Sequence, residues 1–322
     1  MWYLVGDVGG TNMRLAAVDA DGMITARQSH STTGGDSLRQ VCAAFCETRA
    51  SAPVGVAIAA AGVVTNGRVT LTNAAQGVCK ADLTAACACA DVHIINDFEA
   101  AAWSLATLDE TDVRFLQGGP HLQPGPRVII GPGTGLGVGA MVWRQGTPQA
   151  VPGEGGHMRL TPHSAAECAY FEELITLWPE VQMGKALAVE AEAILSGTGL
   201  PLWYRAIARA HGVDAMLTEA AAIFAAARAG DDRHARTAIG LFSQYLAGFV
   251  GDIAMLVGAR GGVFLTGGVA LSNPWIFDTA FLASFNAGGR HSAWRAQMPL
   301  GLYQNCDFGL LGARNFLMAR TG

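Results

Sequence analysis

The sequence predicts an α/β fold arranged in two domains, and three observations carry that expectation. The length of 322 residues exceeds the roughly 100–200 residues of one ordinary domain. A pattern of apolar strand, glycine turn and apolar strand occurs at Gly6 and again at Gly131, 125 residues later, as in a duplicated architecture. Hairpin signals are interleaved with apolar runs that pass directly into helical stretches, so both classes of element belong to one fold.

Taken in order, residues 3–5, 13–18 and 23–29 read as short strands separated by turns at 6–12 and 19–22, an antiparallel meander. A helix is expected over 37–49 and a fully buried strand over 54–59. Another strand at 92–95 leads into a helix at 98–106. Strands at 127–131 and 136–142 repeat the opening pattern. The stretch 117–126, with three prolines and three glycines, is a loop near the domain boundary. The remainder is mostly Ala-rich helix, over 165–177, 185–195, 201–211, 217–229 and 233–257, interrupted by a strand at 263–266. A strand at 300–303 and a helix at 310–318 close the chain.

Composition narrows the function. Lys and Arg number 21 against 26 Asp and Glu, a net charge of −5 without a basic stripe. A nucleic-acid or anionic-membrane partner therefore lacks its electrostatic footprint, and a small-molecule partner is favoured. Glycine, 41 residues, clusters in short turns between apolar runs, where backbone can come close to a ligand. Seven cysteines, an odd number in no repeating frame, point to reduced thiols and a cytoplasmic location. The opening MWYLVGD has no basic stretch and meets Asp7 too soon for a signal peptide. The most membrane-like stretch, 261–277, is broken by glycines and by Asn273-Pro274, so no membrane span is expected there.

Five segments carry chemistry. Gly6-Asp7-Val8-Gly9-Gly10-Thr11-Asn12 lies between two strands, where its amides can converge on an anion. Asp7 would repel bare phosphate unless a divalent cation intervenes, and Mg²⁺ suits one carboxylate plus phosphate oxygens and waters. An ordinary glycine-rich hairpin has the same composition. Gly131-Pro132-Gly133-Thr134-Gly135-Leu136-Gly137 offers similar amides without an acid. It precedes another strand, so it is not a dinucleotide fingerprint, and it lacks the Lys-Ser/Thr of a Walker loop. Ile95-Asn96-Asp97-Phe98 puts an acid at the carboxyl end of an apolar strand. There Asp97 could be a general base, or merely the N-cap of the next helix. Pro152-Gly153-Glu154-Gly155-Gly156-His157 places a carboxylate and an imidazole in a flexed loop where both can hydrogen-bond hydroxyls. Zinc spacing is missing around it, with Cys87 and Cys89 forming an isolated C-x-C. Thr266-Gly267-Gly268-Val269 follows a strand, where a base or ribose could approach backbone.

In this order the five segments resemble the bacterial glucokinase family, of the actin, sugar-kinase and Hsp70-type ATPase superfamily, over nearly the whole chain. GDVGGTN resembles the first phosphate motif, with Gly6, Asp7, Val8, Gly9, Gly10, Thr11 and Asn12 as nucleotide-binding positions and Asp7 as a water-mediated Mg²⁺ partner. INDF resembles the catalytic segment, and GTGLG the second phosphate motif, with Gly133, Thr134 and Gly135. PGEGGH resembles the sugar signature, and LTGGV the adenosine motif, with Gly267 and Gly268. By the same matching Glu192, four residues before Ser196-Gly197, falls where a further sugar-contacting glutamate stands; otherwise it is an exposed helix glutamate. The resemblance implies two ribonuclease-H-like domains of the actin type, residues 1–107 plus 305–322 and residues 108–304, with an interdomain cleft as active site. It implies ATP and Mg²⁺, glucose held by Asn96, Asp97, Glu154, His157 and Glu192, Asp97 as base toward the 6-hydroxyl, and a homodimer. Kinases for mannose or N-acetylglucosamine, and a non-catalytic nucleotide-binding scaffold or sensor, are the alternative readings. The chain departs from the family twice: Ala59-Ala60-Ala61-Gly62 lacks a proline, and Thr72-Asn73-Ala74-Ala75-Gln76 ends in Gln where the family has Trp. The related repressor and kinase group called ROK carries a C-x-C-G-x-x-G-C zinc motif that is absent here, so no zinc is expected, nor a DNA-binding head ahead of Trp2.

Overall fold

The structure, a computed structural model, describes residues 1–10, 12–32, 35–65, 67–70 and 77–321. The chain opens with β1 (Trp2–Val8), β2 (Asn12–Asp19) and β3 (Ile24–Ser31), paired antiparallel as the turns between them predict. Helix α1 (Leu38–Glu47) starts at a reciprocal cap. The Ser37 hydroxyl accepts from Gln40 N–H, and the Gln40 side chain accepts from Ser37 N–H. Then come β4 (Val56–Ala60), the short strands β5 (Val64–Thr65), β6 (Arg68–Thr70) and β7 (Gly77–Cys79), α2 (Lys80–Cys87), β8 (Val92–Asn96) and α3 (Asp97–Ser104). They are followed by β9 (Val113–Gln117), β10 (Arg127–Pro132), β11 (Leu136–Arg144), β12 (Thr147–Val151), β13 (Arg159–Leu160), α4 (Ala165–Leu177) and β14 (Val189–Glu190). The last elements are α5 (Leu200–Ala210), α6 (Ala220–Ala229), α7 (Arg233–Val257), β15 (Val263–Leu265), α8 (Gly268–Ser272), α9 (Thr279–Phe285), α10 (Ser292–Arg295), β16 (Leu300–Tyr303) and α11 (Phe308–Thr321).

Two larger sheets run in the orders β3-β2-β1-β4-β8 and β12-β11-β10-β15-β16-β9, and two small ones are β13-β14 and β5-β6-β7. Strands β1, β4 and β8 run parallel to one another, as do β10, β15 and β16, and of these all but the edge strand β8 are inner parallel strands. Such strands are buried on both faces and read as continuous apolar runs; Val263, Phe264 and Leu265 are fully buried.

The chain forms two compact units. The first is Met1–Asp109, Gly139–Gly153 and Asn305–Gly322, the second Glu110–Val138 and Glu154–Gln304. In the first, one face of the five-stranded sheet (Leu4, Val8, Met13, Leu15) is covered by Leu38, Val41 and Phe45 of α1 and Leu83 of α2. On the other face Tyr3, Val5, Ala16, Val18 and Ala57 lie under Leu310, Ala313 and Leu317 of α11. In the second, α7 is the central helix, its Tyr245 in ring contact with Phe171 and Trp203.

Two expectations are corrected. No helix covers 185–195; the segment makes β14 and a 3-10 turn at Ala191–Ala193. Ala188, Val189, Ala191, Ala193, Ile194 and Leu195 are all fully buried, and a segment enclosed on every side shows no periodic face from which to tell helix from strand. Nor is 261–277 the most membrane-like stretch. Helix α7 is long and apolar enough by length and composition to cross a bilayer, and 56% of its apolar window is buried inside the fold, as in a core helix.

Candidate active site

In the first unit, the carboxyl ends of the parallel strands β1, β4 and β8 lie in register: Val8 beside Ala60, and Ala60 beside Asn96. Two strand spacings put the turn after β1 and the start of α3 roughly 10 Å apart along one sheet edge, where open α/β sheets bind ligands. Asn96, not Asp97, is the N-cap of α3. Its side-chain oxygen accepts from Phe98 N–H (2.8 Å) and Glu99 N–H (3.2 Å), and its amide donates to the Gly62 carbonyl (3.1 Å). Capping thus falls to Asn96, while Asp97 occupies the first helical position and accepts from Phe98 N–H at 3.0 Å. Ala61 N–H donates to the Val8 carbonyl (3.2 Å), a bond that no proline at that position could make.

Gly6, Asp7 and Val8 belong to β1 and Asn12 opens β2; Gly9 N–H donates to the Asn12 carbonyl at 2.9 Å and closes the turn over Gly10. Thr11 lies outside the described residues, as do Thr72-Asn73-Ala74-Ala75-Gln76. The Asp7 side chain is 13% exposed and pairs with Arg14, which also donates to the Cys306 carbonyl (2.6 Å) and pairs with Asp307. Arg27 holds Asp307 from its other side. Burial pushes the Asp7 carboxyl above its usual range, against the lowering pull of Arg14. A Cβ at Gly309, in α11, would stand 2.5 Å from the Asp7 carboxyl carbon, so only glycine leaves room for that acid.

In the second unit the remaining candidates gather around the turn that follows β10. Gly133 N–H donates to the Gly135 carbonyl (2.9 Å). Gly197 N–H reaches the Gly133 carbonyl (2.7 Å), and Thr198 N–H the Thr134 carbonyl (3.2 Å). Glu192 is not an exposed helix residue: its Oε2 accepts from Leu136 N–H at 2.7 Å, and a Cβ at Gly135 would meet that oxygen at 2.5 Å. The loop carrying Glu154 and His157 packs on the same residue, since a Cβ at Gly156 would stand 2.0 Å from the Leu136 carbonyl oxygen. Gly267, at φ +85°, turns the chain into α8 and Gly268 with no room for a side chain against the Pro132 carbonyl. Sequence reasoning missed Glu190, whose carboxylate meets His157 Nδ1, and Arg14; no motif signals either, because the pairings arise only on folding.

Among the described residues no group of three or more His, Cys, Asp or Glu could hold a metal ion. Asp7 supplies a single carboxylate shared with Arg14, a donor set that suits a largely hydrated Mg²⁺ bridged to phosphate rather than a cage of protein ligands. A cavity of about 340 Å³ lined by His211, Arg233, His234, Arg236 and Thr237 involves none of the candidate residues.

The profile of the family described as Glucokinase matches residues 4–320. The glucokinase of Sinorhizobium medicae is 35% identical over 92% of this chain and 86% of its own length. That of Agrobacterium fabrum is 32% identical over 99% and 92%. The crystal structure of glucokinase from an Antarctic psychrotroph superposes with a TM-score of 0.83 at 27% identity, covering 98% of both chains. A match of this extent, together with the order of the five segments along the chain, leads to one conclusion: the chain belongs to the glucokinase family.

Proposed function

We propose that this protein is an ATP-dependent glucokinase that transfers the γ-phosphoryl group of ATP to the 6-hydroxyl of glucose, giving glucose 6-phosphate and ADP. The observation that carries the reading is Asp97, an acid at the start of α3 on the sheet edge that also ends in the Asp7 turn. In this reading Asp97 accepts the proton of the 6-hydroxyl as that oxygen attacks phosphorus, a contribution worth about 10²–10⁴ in rate. Asn96, Asp97, Glu154, His157 and Glu192 serve one hexose in this reading. The acceptors among them suit sugar hydroxyls, which donate. The glycine turns at 6–12 and 133–135 and the backbone at Gly267 and Gly268 serve the nucleotide. Mg²⁺, when bound, neutralises charge on the phosphates, and Asp7 would hold it through water. The division 1–107 plus 305–322 and 108–304 is part of the same proposal. So are a cytoplasmic location and a homodimer acting without zinc, nucleic acid or membrane.

A coupled assay across hexoses and phosphoryl donors tests the reading. Glucose with Mg·ATP is expected to give the highest kcat/KM. A higher value with mannose or N-acetylglucosamine would reassign the substrate, and no turnover with any hexose would return the chain to the scaffold or sensor reading.

A further inference from the structure

Glu190 sits on β14, whose pairing with β13 sets Arg159 opposite Glu190 and Leu160 opposite Val189. Ala191 N–H donates to the Met158 carbonyl at 2.8 Å, so backbone bonds tie the residues on either side of Glu190 to those directly after His157. Across this short ladder His157 Nδ1 lies 2.5 Å from Glu190 Oε2, while the imidazole side chain is 49% exposed. A ring so open needs a partner if it is to keep one orientation.

We propose that Glu190 is a positioning residue for hexose recognition, holding the His157 imidazole through Nδ1 so that Nε2 is the nitrogen presented to a sugar hydroxyl. The inference rests on the reading of His157 as a sugar contact. A carboxylate can only accept, so Nδ1 must carry the hydrogen. Nε2 is then an acceptor when the ring is neutral and a donor when it is charged. Without Glu190 the ring exchanges tautomers and flips, and the hydroxyl meets the correct nitrogen only part of the time. The hydrogen bond from Nδ1–H to Glu190 raises the His157 pKa against the opposing effect of burial, and the charges of Glu190, Glu192 and Glu154 add to it. The donor form therefore persists to higher pH than in an isolated histidine.

The test compares Glu190→Ala, Glu190→Gln and His157→Ala, measuring glucose KM, ATP KM and kcat from pH 5.5 to 9, with imidazole ¹⁵N spectra of each sugar-free protein. Glu190→Ala is expected to raise glucose KM roughly 10-fold, as loss of a ligand-orienting partner does, with kcat and ATP KM within about twofold. Glu190→Gln, whose amide oxygen still accepts from Nδ1–H, should recover most of that loss at pH 8–9 while the ring titrates at lower pH. In the spectra, the single Nδ1–H form of the neutral ring should give way to a tautomer mixture in Glu190→Ala alone. A Glu190→Ala glucose KM within twofold of wild type, while His157→Ala raises it, would overturn the positioning role and leave the sugar contact standing. A His157→Ala glucose KM equal to wild type would overturn both, and equal damage from Gln and Ala would show that charge, not orientation, is what Glu190 supplies.

Discussion

In the proposed reaction the Asp97 carboxylate carries the chemistry, and its neighbour Asn96 relieves it of a structural duty. Because Asn96 caps α3, replacing Asp97 leaves the cap bonds to Phe98 and Glu99 in place. Asp97→Asn should therefore fold normally and lose at least ~10² in kcat, with glucose KM changed far less, since an amide cannot take the hydroxyl proton. Steady-state kinetics beside a thermal melt separate the two effects. Gly135 gives a second residue-scale expectation. A methyl group there falls 2.5 Å from Glu192 Oε2, so Gly135→Ala should push the carboxylate off Leu136 N–H. Glucose KM should rise more than ATP KM; the reverse would mean that Glu192 serves the turn and not the sugar. Residues of this kind divide into those visible in sequence and those that are not. Glu154 and His157 stand in one hexapeptide and can be read. Glu190 stands 33 residues from His157, inside a segment whose buried alanines suggest a helix, and only the β13–β14 pairing reveals it.

Among the elements, the meander, α1 and the strand running into α3 were legible because turns between short apolar runs and an apolar run passing into a helical stretch each leave a local trace. The short strands β5 to β7 and helix α2 were not. Two- and three-residue strands carry too little pattern, and α2 has no side-chain cap to mark its start. Helix α4 illustrates a trace with energetic weight. Glu167 reaches back to accept from His163 N–H (3.0 Å) and the Ser164 hydroxyl (2.8 Å), and also from the buried Tyr245 hydroxyl of α7. Burial raises the Glu167 pKa, but these hydrogen bonds outweigh it and the net direction is downward. A carboxyl depressed on folding contributes stability that is present above its unfolded pKa and lost as pH falls through the folded one. Glu167→Gln should cost about 1–3 kcal/mol at pH 7 by leaving one of these donors poorly paired. The gap to wild type should narrow below pH 4.5, the ordinary value for glutamate. A thermal melt series over pH checks it; a gap that is constant with pH would show that the charge on Glu167 is irrelevant.

At the scale of the whole molecule, the proposed sugar contacts, Asn96, Asp97, Glu154, His157 and Glu192, are drawn from widely separated parts of the sequence. A ligand shifts an equilibrium between conformations only by its difference in affinity for them. ATP hydrolysis without sugar should accordingly be very slow. Xylose, a glucose without the carbon that bears the accepting hydroxyl, should accelerate it by leaving space for water beside Asp97. Phosphate release with and without saturating xylose, with Asp97→Asn as control, measures this. Equal rates despite demonstrated xylose binding would dissociate sugar contact from the assembly of the catalytic groups.

The return of α11 to the N-terminal sheet bears on how the protein is made. Arg14 and Asp307, which it joins, are 293 residues apart in sequence. The face of the sheet formed by Tyr3, Val5, Ala16, Val18 and Ala57 is synthesised long before Leu310, Ala313 and Leu317 exist to cover it. At roughly 5–20 residues per second, that surface waits on the order of 15–60 s on the ribosome. Throughout that interval the second unit, whose whole sequence lies between Glu110 and Gln304, can finish folding while the first still shows an oily flank. The order of completion is the reverse of the order of synthesis, and the nascent chain is a natural client for a chaperone until its last helix emerges.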